Sequence, residues 1–87
     1  MSDTEEFRRK RLAHRSRYRG AKESDLLFGQ FAARHLGELD DAQLDRYEAL
    51  LDEPDQEVLA WIYGRAPVPD RHRNDVFERL RTFEPQS

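Results

Sequence analysis

The sequence predicts an all-α protein, a single small five-helix bundle. Apolar residues recur at three- and four-residue spacing in five successive stretches, glycine or proline separates these stretches, and none of them alternates apolar with polar residues as a strand would. With 37% apolar and 38% charged residues, the 87-residue chain can fill one thin core layer, which suits helices packed around one seam. We expect one domain over residues 1–87, with an ordered core over about residues 5–83 and short flexible termini.

The first predicted helix runs from about Thr4 to Tyr18, with Asp3 or Thr4 as its N-cap. Its apolar face is narrow and consists of little more than Phe7, Leu12 and Ala13. We therefore expect this helix to dock only through its later turns. Gly20 provides a left-handed stop after it.

The second predicted helix begins between Lys22 and Asp25, ends near Leu36, and is the core helix. Its apolar residues at helical spacing include Leu27, Phe28, Phe31 and Ala32. Gly29 lies inside the helix at a cost of about 1 kcal/mol relative to alanine, which a close approach by another backbone would explain. Gly37 provides the C-terminal stop.

The three remaining helices are predicted over about Asp40–Asp52, Asp55–Tyr63 and Arg71–Thr82. Asp40 is a suitable N-cap for the third helix, and Gly64 lies just past the end of the fourth.

The sequence contains no motif that predicts catalysis or metal binding. It has no cysteine, and its three histidines lack the spacing of metal ligands. A nucleophile elbow, a phosphate-cradling glycine loop and a dinucleotide-binding motif are also missing. We therefore expect no catalytic residues and no metal.

The first residues of the chain and its overall hydropathy predict a soluble cytoplasmic protein. Residues 1–6 are acidic, which fits neither a secretory signal nor an organelle transit peptide. The sequence has no apolar run of about 18 or more residues, so we expect no membrane insertion. We expect the free protein to be a monomer.

Charge is distributed unevenly along the chain. Residues 1–23 carry a balance of +4 and residues 24–87 a balance of −7, and the stretch from Arg8 to Lys22 holds eight cations and no acid. One interpretation is an acidic partner, including a nucleic acid bound by a small regulator through the stretch from Arg8 to Lys22, in which case replacing Arg8, Arg9 and Arg11 should abolish salt-dependent duplex binding. The alternative is a solvated face that the acidic half of the same molecule balances. The sequence favours neither.

The junction Arg19-Gly20-Ala21-Lys22-Glu23 has two readings. Arg19 suits the last turn of one helix and Glu23 the first turn of the next, since these charges complement the helix dipoles. A junction this short would also fix Arg19 and Glu23 together on one exposed corner, where they could contact a partner.

Two blocks of the sequence resemble the succinate dehydrogenase assembly factor family, the SdhE-type FAD assembly factors. The first block is Arg17–Phe31, and the second is Leu50-Leu51-Asp52-Glu53-Pro54-Asp55 followed by Trp61. The resemblance covers about residues 8–83, and the sequence departs from the family at Tyr18 and Ser24.

The resemblance implies a five-helix bundle that acts as an assembly factor, not an enzyme, in the bacterial cytoplasm. Such a factor binds the flavoprotein subunit of succinate dehydrogenase and promotes covalent attachment of FAD to a histidine of that subunit. Fumarate reductase is a further possible client. The partner handles the FAD, and we expect none to be bound stably by this chain. The implied partner-binding residues are Arg15, Tyr18, Arg19, Gly20, Glu23 and Asp25.

Overall fold

The computed structural model describes residues 2–17, 19 and 22–86, with side chains from Glu6 onward within those ranges. In this part of the chain there are five α-helices and no strand, so the all-α prediction is confirmed. The helices are α1 (Ser2–Arg17), α2 (Lys22–His35), α3 (Asp41–Leu51), α4 (Asp55–Ile62) and α5 (Asp75–Thr82). Short 3₁₀ turns occupy Leu36–Glu38 and Asp70–His72.

The start of α3 and the end of α4 lie where their capping residues predict, whereas α1 begins at Ser2, before both of its predicted N-caps, Asp3 and Thr4. Asp40 accepts a hydrogen bond from the Gln43 backbone N–H at 2.8 Å, and the Gln43 side chain accepts one from the Asp40 N–H at 2.9 Å. This reciprocal capping box confirms Asp40 as the N-cap of α3. Gly64 follows α4 with a φ of 73°, the left-handed conformation expected of a glycine stop. The predicted stop at Gly20 lies outside the described residues.

The predicted start of the last helix at Arg71 is wrong. Residues 70–72 form a 3₁₀ turn, and α5 begins only at Asp75. The Asn74 side chain accepts a hydrogen bond from the Phe77 N–H at 3.0 Å and so caps α5. An N-cap residue takes a non-helical backbone conformation, so Asn74 separates the turn from the helix.

A single core is enclosed by α1 packed against α2 and α3, with α5 against α3. Its buried apolar residues are Leu12, Leu27, Phe28, Phe31, Ala32, Leu36, Leu39, Leu44, Tyr47, Leu50, Leu51, Val58, Trp61, Val76, Phe77 and Leu80. Leu12 is buried while Phe7 is 72% exposed. The expectation that the first helix docks through its later turns is therefore confirmed.

Tyr47 lies within this core and makes its main polar contact with α1. Its ring centroid is 6.2 Å from that of Phe28 and 5.6 Å from that of Phe31. Its hydroxyl lies 2.6 Å from the Ser16 hydroxyl, which in turn donates to the Leu12 carbonyl at 2.7 Å. Burial raises the pKa of Tyr47 to about 12, so the phenol stays protonated and donates to Ser16.

The backbone of α1 does approach Gly29, as its place inside α2 suggests. A β-carbon at Gly29 would lie 3.7 Å from Arg17 Cγ, 3.9 Å from Arg17 Cα and 3.9 Å from the Ser16 carbonyl oxygen. These are ordinary van der Waals distances. The close approach is therefore confirmed, but it leaves room for a methyl group.

Replacing Gly29 with alanine should raise the free energy of unfolding by about 0.5–1 kcal/mol, because alanine loses less backbone entropy in a helix interior. Urea denaturation followed by circular dichroism measures the change. Gly64→Ala is the matched control: its β-carbon would have open space, but the positive φ should cost about 1–2 kcal/mol. A destabilised Gly29→Ala protein would contradict the packing described here.

Candidate functional site

The side chain of Arg19 joins the α1–α2 junction to the α3–α4 junction. Its Nε donates to Asp55 Oδ1 at 2.6 Å, its Nη1 to the Leu51 carbonyl at 2.9 Å and its Nη2 to the Glu53 carbonyl at 3.0 Å. The guanidinium carbon also lies 4.7 Å from the centroid of the Phe28 ring. One arginine from the first sequence block therefore contacts three residues of the second.

The structure places Arg19 differently from the sequence prediction. The expected exposed charge is turned inward, and the side chain is only 7% exposed. The carbonyls of Leu51 and Glu53 lie at the C-terminal end of α3, where the helix dipole is negative and backbone acceptors lack helical partners. The planar, multi-donor guanidinium can bind these carbonyls and Asp55 at once.

Asp55 is the functional residue that sequence reasoning missed. The sequence predicted only that Asp55 begins the fourth helix, and in the structure Pro54 is the N-cap of α4 and Asp55 is its first helical residue. One carboxylate oxygen accepts from Arg19, and the other accepts from the hydroxyl of buried Ser24 at 2.8 Å. Its place in the second block of the family resemblance was the only signal in the sequence.

The outer part of the α1–α2 corner consists of Lys22, Glu23 and Leu26. Lys22 and Glu23 are exposed, and neither forms an ion pair with any residue that the structure describes. Leu26 is 37% exposed and lines a groove of about 510 Å³ together with Lys22 and Asp25. Asp25 also accepts a hydrogen bond from the Arg19 backbone N–H at 2.6 Å. Lys22 and Glu23, and not Arg19, are thus the charges that this corner presents.

Arg15 and its neighbours one and two turns earlier attach α1 to α3. Arg15 donates to Asp52 at 2.7 Å and lies 3.8 Å from Glu48. The remaining ion pairs of this face are Arg8 with Asp45 and Glu48, and Arg11 with Glu48. We call Arg8, Arg11 and Arg15 the paired face of α1. Arg15 is half-buried there, not free at the corner.

Several cations of the stretch from Arg8 to Lys22, on which the nucleic-acid hypothesis rests, are engaged within the molecule. Arg8 and Arg11 belong to the paired face, and Arg9 donates to the carbonyls of Leu36 at 3.4 Å and Leu39 at 2.7 Å. A phosphate would have to compete with these contacts. The contacts weaken the nucleic-acid hypothesis at these three arginines.

Tyr18 and Gly20, two of the predicted partner-binding residues, lie outside the described residues. In the ranges that are described, no cluster of three or more histidine, aspartate or glutamate side chains could hold a metal ion. No helix in those ranges has both the length and the apolar character needed to cross a membrane.

The fold and the corner define a small all-α protein with an exposed, charged corner. Residues 10–84 match the family described as flavinator of succinate dehydrogenase, and this chain belongs to that family. Both blocks of the site lie within the matched residues. This match confirms the family resemblance inferred from the sequence. Similar curated proteins are named succinate dehydrogenase assembly factors.

Curated relatives from fungi and an amoeba are similar to nearly the whole chain. Proteins named "Succinate dehydrogenase assembly factor 2, mitochondrial" are 47% identical in Meyerozyma guilliermondii, 44% in Scheffersomyces stipitis and 37% in Dictyostelium discoideum. The alignments cover 98%, 90% and 93% of this chain, and 65%, 54% and 57% of the respective relatives. The chain thus spans between about half and two thirds of the length of these relatives.

These relatives contradict the expected cellular setting. The bacterial and cytoplasmic assignment is wrong by this comparison, because the similar proteins are eukaryotic and their names state a mitochondrial location. The acidic first residues were a poor guide, since a charge pattern over six residues is weak support for any location.

Glu53 forms a second polar contact beneath the α3–α4 junction. Its carboxylate accepts from Arg71 Nε at 2.9 Å and lies 2.7 Å from Nε2 of the buried His72, whose ring packs 5.3 Å from Trp61. The hydrogen bond with His72, followed by that with Arg71, lowers the pKa of Glu53 below its usual value. The fold therefore favours the charged carboxylate.

Replacing Arg19 with alanine should lower the free energy of unfolding by about 3–5 kcal/mol, because it leaves Asp55 largely buried without its cation. Urea denaturation measures the loss. Arg19→Lys keeps the charge but not the planar set of donors, so it should fall between wild type and Arg19→Ala. An Arg19→Ala protein as stable as wild type would show that the arginine is not a structural link.

Glu53 should contribute to the pH dependence of stability. A carboxyl whose pKa is lower in the folded state stabilises the fold above its unfolded pKa of about 4.3, and the effect is lost as pH falls through the lowered folded pKa. As the pH falls from neutrality into the acid range, the free energy of unfolding should therefore decrease less for the Glu53→Gln variant than for wild type. Urea midpoints at stepped pH test this. Glu57→Gln, which makes the same change at an exposed carboxyl, is the matched control, and a Glu53→Gln slope no different from that of Glu57→Gln would contradict the prediction.

Proposed function

We propose that this chain is an assembly factor that binds the flavoprotein subunit of succinate dehydrogenase and promotes covalent attachment of FAD to a histidine of that subunit. The observation that carries the proposal is the family match over residues 10–84, because both sequence blocks that meet at Arg19 lie inside it. The names of the curated relatives, which describe succinate dehydrogenase assembly factors, support it.

In this proposal the chain acts as a helper and not as an enzyme. The flavin and the flavoprotein histidine supply the bond-forming chemistry, and groups of the flavoprotein stabilise the charge that develops. This chain contributes by holding the flavoprotein in the arrangement that aligns the histidine with the flavin. Such a role requires a rigid contact surface and no FAD bound stably to the factor itself.

Some residues of the corner hold its geometry, and others are available to contact the flavoprotein. Arg19, through Asp55 and the carbonyls of Leu51 and Glu53, links the end of α1 to the α3–α4 junction. Asp25 holds the Arg19 backbone N–H and supports the same geometry. Glu23 remains exposed on the first turn of α2 and is free to pair with a donor of the flavoprotein.

The apolar part of the contact is Leu26. It is exposed beside Glu23 in the groove that Lys22 and Asp25 also line. A partner side chain in this groove would exclude water from the Glu23 pair, and a desolvated charge pair is worth more than one on the rim of an interface. The proposal includes the flavoprotein subunit of fumarate reductase as a second client.

Glu23→Ala should weaken the complex with the flavoprotein by about 2–5 kcal/mol, because it leaves a partner charge buried and unpaired. Covalent flavin should fall accordingly. The assay is co-expression of the succinate dehydrogenase flavoprotein with each variant, followed by flavin fluorescence after denaturing electrophoresis. The fumarate reductase flavoprotein in the same assay tests the second client.

The matched control is Glu57→Ala, which removes an exposed carboxylate from the first turn of α4 without changing the corner. Thermal unfolding should show that both variants are folded and similarly stable, since each loses one first-turn carboxylate that complements a helix dipole and that has no ion-pair partner in the described part of the chain. Equal flavin fluorescence for Glu23→Ala, Glu57→Ala and wild type would reject the role of Glu23. Equal fluorescence with and without this chain would reject the proposed function as a whole.

A further inference from the structure

The basic residues of α1 separate onto two faces of the helix. Arg8, Arg11 and Arg15 form the paired face, which the acids of α3 neutralise. Lys10, His14 and Arg17 follow one another at spacings of four and three residues and therefore share a different face. We call these three residues the basic stripe.

The basic stripe lines a surface groove of about 280 Å³ together with Ala13. Lys10, His14 and Arg17 are all exposed. Neither Lys10 nor Arg17 forms an ion pair with any residue that the structure describes, in contrast to the three arginines of the paired face. The two unpaired cations are seven residues apart along the helix, which corresponds to about 10 Å.

The stem of Arg17 runs beside α2. Arg17 Cγ lies 3.7 Å from where a β-carbon on Gly29 would stand. A long stem that lies along the protein surface can keep its charged end in solvent, where a partner can reach it. Arg17 is also the last residue of α1, so the basic stripe ends at the α1–α2 corner.

We propose that the basic stripe binds an acidic segment of the flavoprotein client, as a second contact continuous with the corner at Glu23. This inference rests on the proposed function. Charge complementarity supports it: the groove contains cations that the fold does not use, and carboxylates about two helical turns apart on a client segment would match Lys10 and Arg17.

A nucleic acid fits the basic stripe less well than an acidic protein segment does. Among the residues that the structure describes, no aromatic side chain lines the groove to stack with a base. Residues 24–87 carry a balance of −7, which would repel a polyanion longer than the groove. A short acidic segment avoids this repulsion because it can end where the groove ends.

The basic stripe should act mainly on the rate of association. Exposed charges at the rim of an interface steer the encounter of two proteins, and salt screens their effect. The double variant Lys10→Glu/Arg17→Glu should therefore associate about 10-fold or more slowly at low ionic strength. The difference from wild type should shrink at high ionic strength.

The test measures association and dissociation of the full-length chain with the cognate succinate dehydrogenase flavoprotein subunit, purified without flavin, at low and high salt. The matched control is Arg34→Glu/Arg65→Glu, which makes the same change in net charge at two exposed cations that form no ion pair within the described ranges. Thermal unfolding verifies that both double variants are folded. The control should associate within about twofold of wild type, because its charges lie off the contact face.

Each outcome decides the inference. Slow, salt-dependent association confined to the Lys10→Glu/Arg17→Glu variant supports it, whereas equal rates for this variant and the control overturn it while leaving the proposed function intact. If wild type does not bind the flavoprotein, both the proposed function and this inference fail. The proposal would also be overturned if wild type bound duplex DNA or RNA more tightly than it binds the flavoprotein. It would equally be overturned if wild type formed a homodimer that the Lys10→Glu/Arg17→Glu variant did not form.

Discussion

The structure depends on one nearly buried cation, Arg19. A charge that is only 7% exposed must find partners inside the molecule, and here they are a carboxylate, two helix-terminal carbonyls and an aromatic face. Burying such a pair does not always stabilise a fold more than apolar packing would. It does, however, penalise every arrangement in which the partners separate. Arg19 therefore fixes the α1–α2 corner relative to the α3–α4 junction.

Helix α1 has few apolar residues, so it also attaches to the rest of the molecule largely through polar and charged contacts. Leu12 enters the core, and the Ser16–Tyr47 hydrogen bond adds one buried polar contact. The remaining attachment is electrostatic, through the paired face. Single exposed ion pairs contribute about 0–1 kcal/mol, but several that share Glu48 and neighbouring acids form a network along two adjacent helices. The positive first part and the negative remainder of the chain are thus partly each other's counterions.

Local patterns predicted the helices well because their causes are local. Periodic apolar residues and the Asp40 cap act within a few positions, so α3 could be placed almost to the residue. The direction of Arg19 could not, because its partners lie 32 to 36 residues later and a last-turn cation has an equally good local explanation. The same limit applies to Asp55, because its position at the start of a helix gives no local sign of its contact with Arg19. The late start of α5 was missed because Asn74 competes with the helix pattern that begins at Arg71.

The inward position of Arg19 changes how the corner can serve a partner. If Arg19 were exposed, binding would have to order a long flexible side chain, at a cost of about 0.5–1.5 kcal/mol for each such residue. Because its order is established when the protein folds, Glu23 and Leu26 are already supported on a fixed first turn of α2. The charges of Arg19 and the paired face are used in contacts within the fold, whereas Lys10, Arg17, Lys22 and Glu23 form no ion pair among the described residues. Charges that the fold does not pair are the ones that remain available for recognition, and in this chain they lie on α1 and on the first turn of α2.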